Sequence, residues 1–192
     1  MCPEPMPITA RSHARTCSPR CRKALSRANK TSLPIELTTR DRWIRRSSTK
    51  VPLTTGDMPA SSTDPRTWSS YKDAVASSAG VGLGFVLSDV DDIVCLDLDY
   101  AVDPMTGRLK AWAAAIVRDA GDTFTEVSQS GSGLHIFGYA SVRHGRRIRR
   151  ADGTAVEIYG AGRYIAVTGN RFRNSPSALA DVTDVVTRIL EG

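Results

Sequence analysis

The sequence predicts an α+β domain, and three observations carry that expectation. Short apolar runs of strand length recur between residues 82 and 169, bounded by Gly, Ser, Asp and Asn. Two longer segments, 108–119 and 177–190, space their apolar residues at helical intervals. The resulting order, β-β-α-β-β-β-β-α, groups strands together instead of alternating each with a helix.

The elements follow in order. Residues 1–35 are rich in Pro, Ser and Arg and show little periodicity. The folded part is expected from Arg42 or Trp43, dividing the chain into a basic arm (1–40) and a domain (41–192). Residues 50–70, KVPLTTGDMPASSTDPRTWSS, are dense in turn formers and read as a long ordered loop. Thr63 or Asp64 could cap a helix running through Trp68, Tyr71 and Ala74, with Pro65 in its first turn. GLGFVLS (82–88) and IVCLDLD (93–99) read as strands, and Asp91-Asp92 between them suggests an antiparallel hairpin. RLKAWAAAIVRD (108–119) is a helix with Leu109, Trp112, Ala113 and Ile116 on one side. TFTEVS, LHIFGYA, AVEIYG and RYIAVTG are four further strands, and SALADVTDVVTRIL closes the chain as an amphipathic helix.

Composition sets the broad class. The 192 residues fit one domain with an appendage, and 41% hydrophobic and 24% charged residues are ordinary for a globular protein. No apolar run approaches the roughly 20 residues of a membrane span, so no membrane partner is expected. The N-terminus carries basic residues without an apolar stretch behind them and does not read as a signal peptide. Cys2, Cys17, Cys21 and Cys95 are therefore expected to stay reduced.

Charge is unevenly placed. Residues 1–50 hold 12 Lys/Arg and 3 Asp/Glu, a balance of +9, while the remainder holds 14 and 17, a balance of −3. A second basic cluster, RHGRRIRR (143–150), interrupts the acidic remainder. Such asymmetry fits a polyanionic partner such as nucleic acid; a solubilising tail and a solvated loop would look the same.

The chemistry concentrates in three places. Asp97 and Asp99 sit two apart in the apolar run IVCLDLDY and so share one face of a strand. Two carboxylates at about 6 Å repel by roughly 3 kcal/mol at an effective dielectric of 20, a cost that makes sense if a divalent cation fills the gap. Glu157 in AVEIYG is a third acid inside an apolar strand. Three such carboxylates could hold two Mg²⁺ or Mn²⁺ ions. In SGSGLHIF, Ser130, Gly131, Ser132 and Gly133 form a loop whose backbone N–H groups can approach an anion, and His135 follows at the start of a strand. A lone paired-acid motif is common and also occurs in glycosyltransferases. The ordered set is far more specific.

That set resembles the primase–polymerase domain of the archaeo-eukaryotic primase superfamily, in the form found in phage and plasmid replication proteins. The family's paired acids match Asp97 and Asp99, its His motif matches SGSGLH with His135, and its third acid matches Glu157. The likeness extends over most of residues 42–170 and takes in KVPL, ASSTDPRTWSSY, GLGFVL and GRYIAVTG. The resemblance implies an RRM-like catalytic sheet packed with a smaller α/β unit. It also implies a DNA primase/DNA polymerase that transfers NTP or dNTP onto a single-stranded or primed DNA template in the cytoplasm of a bacterium or phage-infected cell. Asp97, Asp99 and Glu157 would hold the two ions, and His135 with the Ser130–Gly133 loop would bind the triphosphate. Lys50 and Arg163 are further phosphate candidates, and Arg143, Arg146, Arg147, Arg149 and Arg150 are candidates for the template backbone. Trp43, Trp68, Tyr159 and Tyr164 could stack on bases, although the two tryptophans fit packing better.

Two alternatives remain on sequence grounds: a non-catalytic single-stranded nucleic-acid-binding module on the same scaffold, and a different metal-dependent transferase sharing only the paired acids. The segment RTCSPRCRKALSRANK resembles half of a small zinc-binding module of phage replication proteins, with Cys2, His13, Cys17 and Cys21 as candidate Zn²⁺ ligands. Pro5 stands where a second cysteine of an opening pair is expected, and a degenerate basic arm is the other reading. No GxxxxGK[ST] sequence is present, so a helicase partner is expected to be a separate protein.

Overall fold

The computed structural model describes residues 33–103, 105–142, 144–149 and 153–191. Among these residues nine strands form two antiparallel sheets. In chain order the elements are α1 (Ile35–Thr38), β1 (Trp43–Arg46), β2 (Pro52–Leu53), one 3-10 turn (Pro65–Thr67), α2 (Tyr71–Ala76), β3 (Gly82–Leu87), β4 (Ile93–Asp99), α3 (Ala111–Ala120), β5 (Thr125–Val127), β6 (Leu134–Tyr139), β7 (Arg146–Arg149), β8 (Ala155–Tyr159), β9 (Arg163–Val167) and α4 (Thr183–Glu191). One sheet runs β2-β1-β3-β9 and the other β5-β6-β4-β8-β7. The α+β class expected from the sequence is the class observed. The candidate zinc ligands Cys2, His13, Cys17 and Cys21 lie outside the described residues.

Strand alternation explains how β4 can be buried and still carry two acids. Val94, Leu96 and Leu98 point to one face, where they meet Leu134 and Ile136 of β6, Val156 and Ile158 of β8, and the helical residues Ala113, Ile116, Val185 and Val186. Each such Leu or Ile, fully buried, stabilises by about 1.5–3 kcal/mol. Ile93 and Cys95 point the other way, into a second core with Phe137, Trp43, Phe85 and Ile165. That second core ties the two sheets together. Asp97 and Asp99 continue the face of Ile93 and Cys95 beyond the point where the second core ends.

Several expectations are corrected. The two strands 82–88 and 93–99 do not form a hairpin: β3 pairs with β1 and β9, whereas β4 pairs with β6 and β8. The turn is instead an anchored crossing between sheets, because Asp91 accepts from Arg42 at 2.6 Å and from Arg40 at 3.1 Å. The helix expected from Asp64 to Ala74 is broken at Trp68 and Ser69. There the backbone is drawn into pairing with Trp43, with N–H to O distances of 3.0 and 2.8 Å. Asp64 does cap the short first turn, and Ser70 caps α2. The closing helix begins at Thr183, not near Ser177. Residues ahead of it stay extended because Ala178 and Ala180 carbonyls accept from Phe124 and Tyr139 at 2.9 and 2.8 Å. The basic cluster, for which no strand was expected, contains β7. Residues 33–40, assigned to the arm, hold α1, and its Leu37 belongs to the second core.

Candidate active site

Antiparallel pairing places five ionisable residues in one row. Glu126 of β5 is opposite His135 of β6, His135 is opposite Asp97 of β4, Asp97 is opposite Glu157 of β8, and Glu157 is opposite Arg147 of β7. Directly opposed residues project to the same face, so every strand of the five-stranded sheet contributes one side chain. Asp99 lies two positions beyond Asp97 on that face, opposite Ala155, which is opposite Arg149.

The four-stranded sheet supplies the facing wall. A cavity of about 380 Å³ is lined by Asp97, His135 and Tyr159 from one sheet and by Arg163, Tyr164 and the Lys50 turn from the other. Lys50 holds a positive φ of 65°, and the Tyr164 hydroxyl donates to its carbonyl. Arg163 stacks on the Tyr159 ring at 4.6 Å and stands 3.8 Å from Glu157. Lys50 and Arg163 thus reach the same cavity as Asp97 and His135.

Electrostatics differ among the acids. Burial lifts the Asp97 carboxyl above the ordinary aspartate range; His135 opposes this, Asp99 and Glu157 add to it, and Lys50 opposes it. Glu157 is 5% exposed and fully engaged. Arg147 Nε donates to its Oε1 at 2.7 Å, and the Tyr159 hydroxyl donates to Oε2. Burial, and then that hydrogen bond, push the Tyr159 phenol up to about 12. Tyr159 therefore stays a donor at neutral pH.

His135 is held from behind. Its Nδ1 lies 2.9 Å from Glu126 Oε1, which is 0% exposed. Glu126 also accepts from the Gly169 N–H at 2.8 Å and from the Thr168 N–H and hydroxyl. Glu126 thus holds the ring at Nδ1 and leaves Nε2 directed toward Asp97, 3.8 Å from its Oδ1.

The Ser130–Gly133 loop leads into β6 at the same end of the β4–β6 pair as Asp97 and Asp99. Its hydroxyls form a chain, Ser128 to Ser130 at 3.1 Å and Ser130 to Ser132 at 3.0 Å. A Cβ at Gly133 would stand 2.8 Å from Ser128 Oγ and 3.0 Å from the Leu98 carbonyl, so only glycine lets this loop close onto β4. Ser130 and Ser132 line a neighbouring hollow with Tyr100, Arg108 and Lys110, outside the lining of the Asp97 cavity. Of the basic cluster, Arg147 and Arg149 share the acids' face, whereas Arg146 donates to the Leu190 carbonyl at 2.6 Å. Arg143 and Arg150 lie outside the described residues. Trp43 is buried in the second core and Trp68 donates to the Ser61 carbonyl at 2.7 Å, so both serve packing.

Asp97, Asp99 and Glu157 put three carboxylates on one sheet face, the donor type that hard divalent cations take. Arg147 reaches two of them, 2.7 Å from Glu157 and 3.5 Å from Asp99. Among the described residues no three His, Cys, Asp or Glu side chains stand close enough to enclose an ion as they lie. Sequence reasoning missed Glu126 and the inward role of Arg147. The signal for Glu126 was weak: it is an acid inside an expected strand, TFTEVS, but among hydroxyl residues and not in an apolar run.

No family model matches the chain. It is 34% identical over 138 residues to a DNA primase-polymerase of Nitratiruptor phage NrS-1, a match covering 68% of this chain. The aligned part is 19% of that relative, so the chain spans about a fifth of its length. The likeness in sequence falls on a chain whose paired acids, motif histidine and third acid meet on one sheet face, and on these grounds the chain carries a primase–polymerase domain, in keeping with the archaeo-eukaryotic primase superfamily.

Proposed function

We propose that this domain catalyses template-dependent nucleotidyl transfer, extending or initiating a strand on DNA from NTP or dNTP. The observation that carries the reading is that Asp97 and His135, in one row with Glu157, face Lys50 and Arg163 across one cavity. Acids and bases meeting there suit a ligand that is itself a polyanion needing cations. We read the five-stranded sheet as the RRM-like catalytic sheet and the four-stranded one as the smaller unit.

In this reading a 3′-hydroxyl attacks the α-phosphate of the incoming nucleotide, and pyrophosphate leaves. Asp97, Asp99 and Glu157 would hold two magnesium or manganese ions, which when bound lower the pKa of the attacking hydroxyl and neutralise the leaving oxygen. Lys50 and Arg163 reach the triphosphate from the opposite wall, and His135 presents Nε2 to the same cavity while Glu126 holds Nδ1. Charge-assisted hydrogen bonds of this kind contribute about 1.5–3 kcal/mol each. The Ser130–Gly133 loop offers further donors beside Asp99. The protein's work is placement and charge neutralisation.

The test is extension of a labelled primer, and of nucleotides alone, on single-stranded template with Mn²⁺ or Mg²⁺. Extension that disappears in Asp97→Ala and with chelator supports the proposal. Template binding without extension in the intact protein would instead favour the binding-module reading.

A further inference from the structure

We infer that Arg147 is a displaceable stand-in for the metal ions, and that loading the ions hands its guanidinium over to the nucleic-acid backbone. The inference rests on the proposed cation site and concerns what occupies it beforehand.

Arg147 does not point outward with the charge of its strand. It lies directly opposite Glu157, its Nε is 2.7 Å from Glu157 Oε1, and its terminal nitrogen is 3.5 Å from Asp99 Oδ2. One planar fork thus bridges two of the three carboxylates proposed to hold cations. A divalent ion bound to those oxygens and a guanidinium bonded to them exclude each other, by shared acceptors and by like charge.

The residue is placed to leave. Its side chain is 47% exposed, whereas that of Glu157 is 7% exposed. It stands on β7, the edge strand, with Arg149 beside it on the same face. Swinging away from Glu157 therefore requires no movement of the core and takes Arg147 toward a second exposed cation. A backbone phosphate arriving at Arg149 finds a second guanidinium once the ions have displaced it. Coupling of this kind is reciprocal: DNA that captures Arg147 raises ion affinity by the factor by which ions raise DNA affinity.

The experiment uses the 192-residue chain free of nucleotide and DNA. Mn²⁺ uptake is followed by loss of the free-ion EPR signal in wild type, Arg147→Ala and Arg147→Lys, with Asp97→Asn as the site control. Arg147→Ala should bind Mn²⁺ roughly tenfold more tightly than wild type, a size usual for coupling. Arg147→Lys should fall between them, because an ammonium reaches one carboxylate at a time. Equal affinity in wild type and Arg147→Ala, with Asp97→Asn weaker, would overturn the stand-in and leave the cation site in place. Mn²⁺ binding unaffected by Asp97→Asn would overturn both. If Arg147→Ala does not fold, Arg147→Lys against wild type decides. As a second readout, Mn²⁺ should strengthen binding of a single-stranded oligonucleotide more in wild type than in Arg147→Ala at equal ionic strength. Equal gains would reject the hand-over.

Discussion

Glu126 Oε1 lies 2.9 Å from Nδ1 of His135, and the same carboxylate takes the Gly169 N–H at 2.8 Å. A buried acid thereby fixes which nitrogen of the histidine faces the cavity. It also stitches β5 and β6 to the segment after β9, where the Thr168 N–H donates to it at 3.0 Å.

Glu126→Gln preserves shape but turns an amide NH₂ toward either the histidine proton or the Gly169 and Thr168 donors. One donor must then go unpaired, at a cost of about 1–3 kcal/mol. Denaturant unfolding should read that loss, and the variant should also need more nucleotide to reach half-maximal extension. Unchanged values for both would contradict the role assigned to Glu126.

Asp97 is held at a cost to the fold. Burial raises its carboxyl, so the folded state keeps its proton to higher pH than the unfolded chain. Stability contributed by the protonated form is full below the unfolded value and lost as pH rises through the raised folded value. Asp97→Asn should therefore melt higher than wild type at neutral pH in chelator, by a few degrees, the scale of about 1 kcal/mol in a domain of this size. The difference should shrink as pH falls below the aspartate range. A variant that melts lower at neutral pH would show that Asp97 is not strained as described.

Gly84 links the fold to the cavity wall. A Cβ there would stand 2.6 Å from Tyr164 Cδ2 and 3.0 Å from Ile44 Cγ1. Gly84→Ala should destabilise by about 1–3 kcal/mol and weaken nucleotide binding, because Tyr164 braces the Lys50 turn. Thermal melts and a nucleotide titration read both effects, and a variant that loses neither places Tyr164 wrongly.

Arg149 is exposed on the acids' face. Its replacement by Ala should weaken single-stranded DNA binding alike on all sequences and reduce the salt slope by about 0.7. A sequence-dependent loss would point to base contact instead.

Much of the candidate site was legible because strand alternation is a local rule. Asp97, Asp99, Glu157 and His135 each interrupt an apolar run, and the run predicts the strand that carries them. Lys50 and Arg163 were placed by resemblance, and they do reach the cavity. The sheets themselves were not legible. Asp91 sits between two apolar strands like a hairpin turn, yet its bonds to Arg40 and Arg42, about 50 residues earlier, send β4 into another sheet. Strand β7 was hidden because RRIR has one apolar residue, and its pairing to β8 comes from its neighbour and not from its own composition. The break at Trp68 has the same origin, since an extended partner at Trp43 overrides a helical sequence.

The five-residue row has a consequence for how such a chain can change. Its members come from separate strands, and they share one face of the sheet only in their present register. Sliding β4, β6 or β8 by a single residue would turn its polar member toward the helices and bring an aliphatic side chain to its place in the row. Insertions and deletions are thus tolerable in the connecting segments and ruinous within β4, β6 or β8, so variation in length among descendants of this gene should collect at the turns.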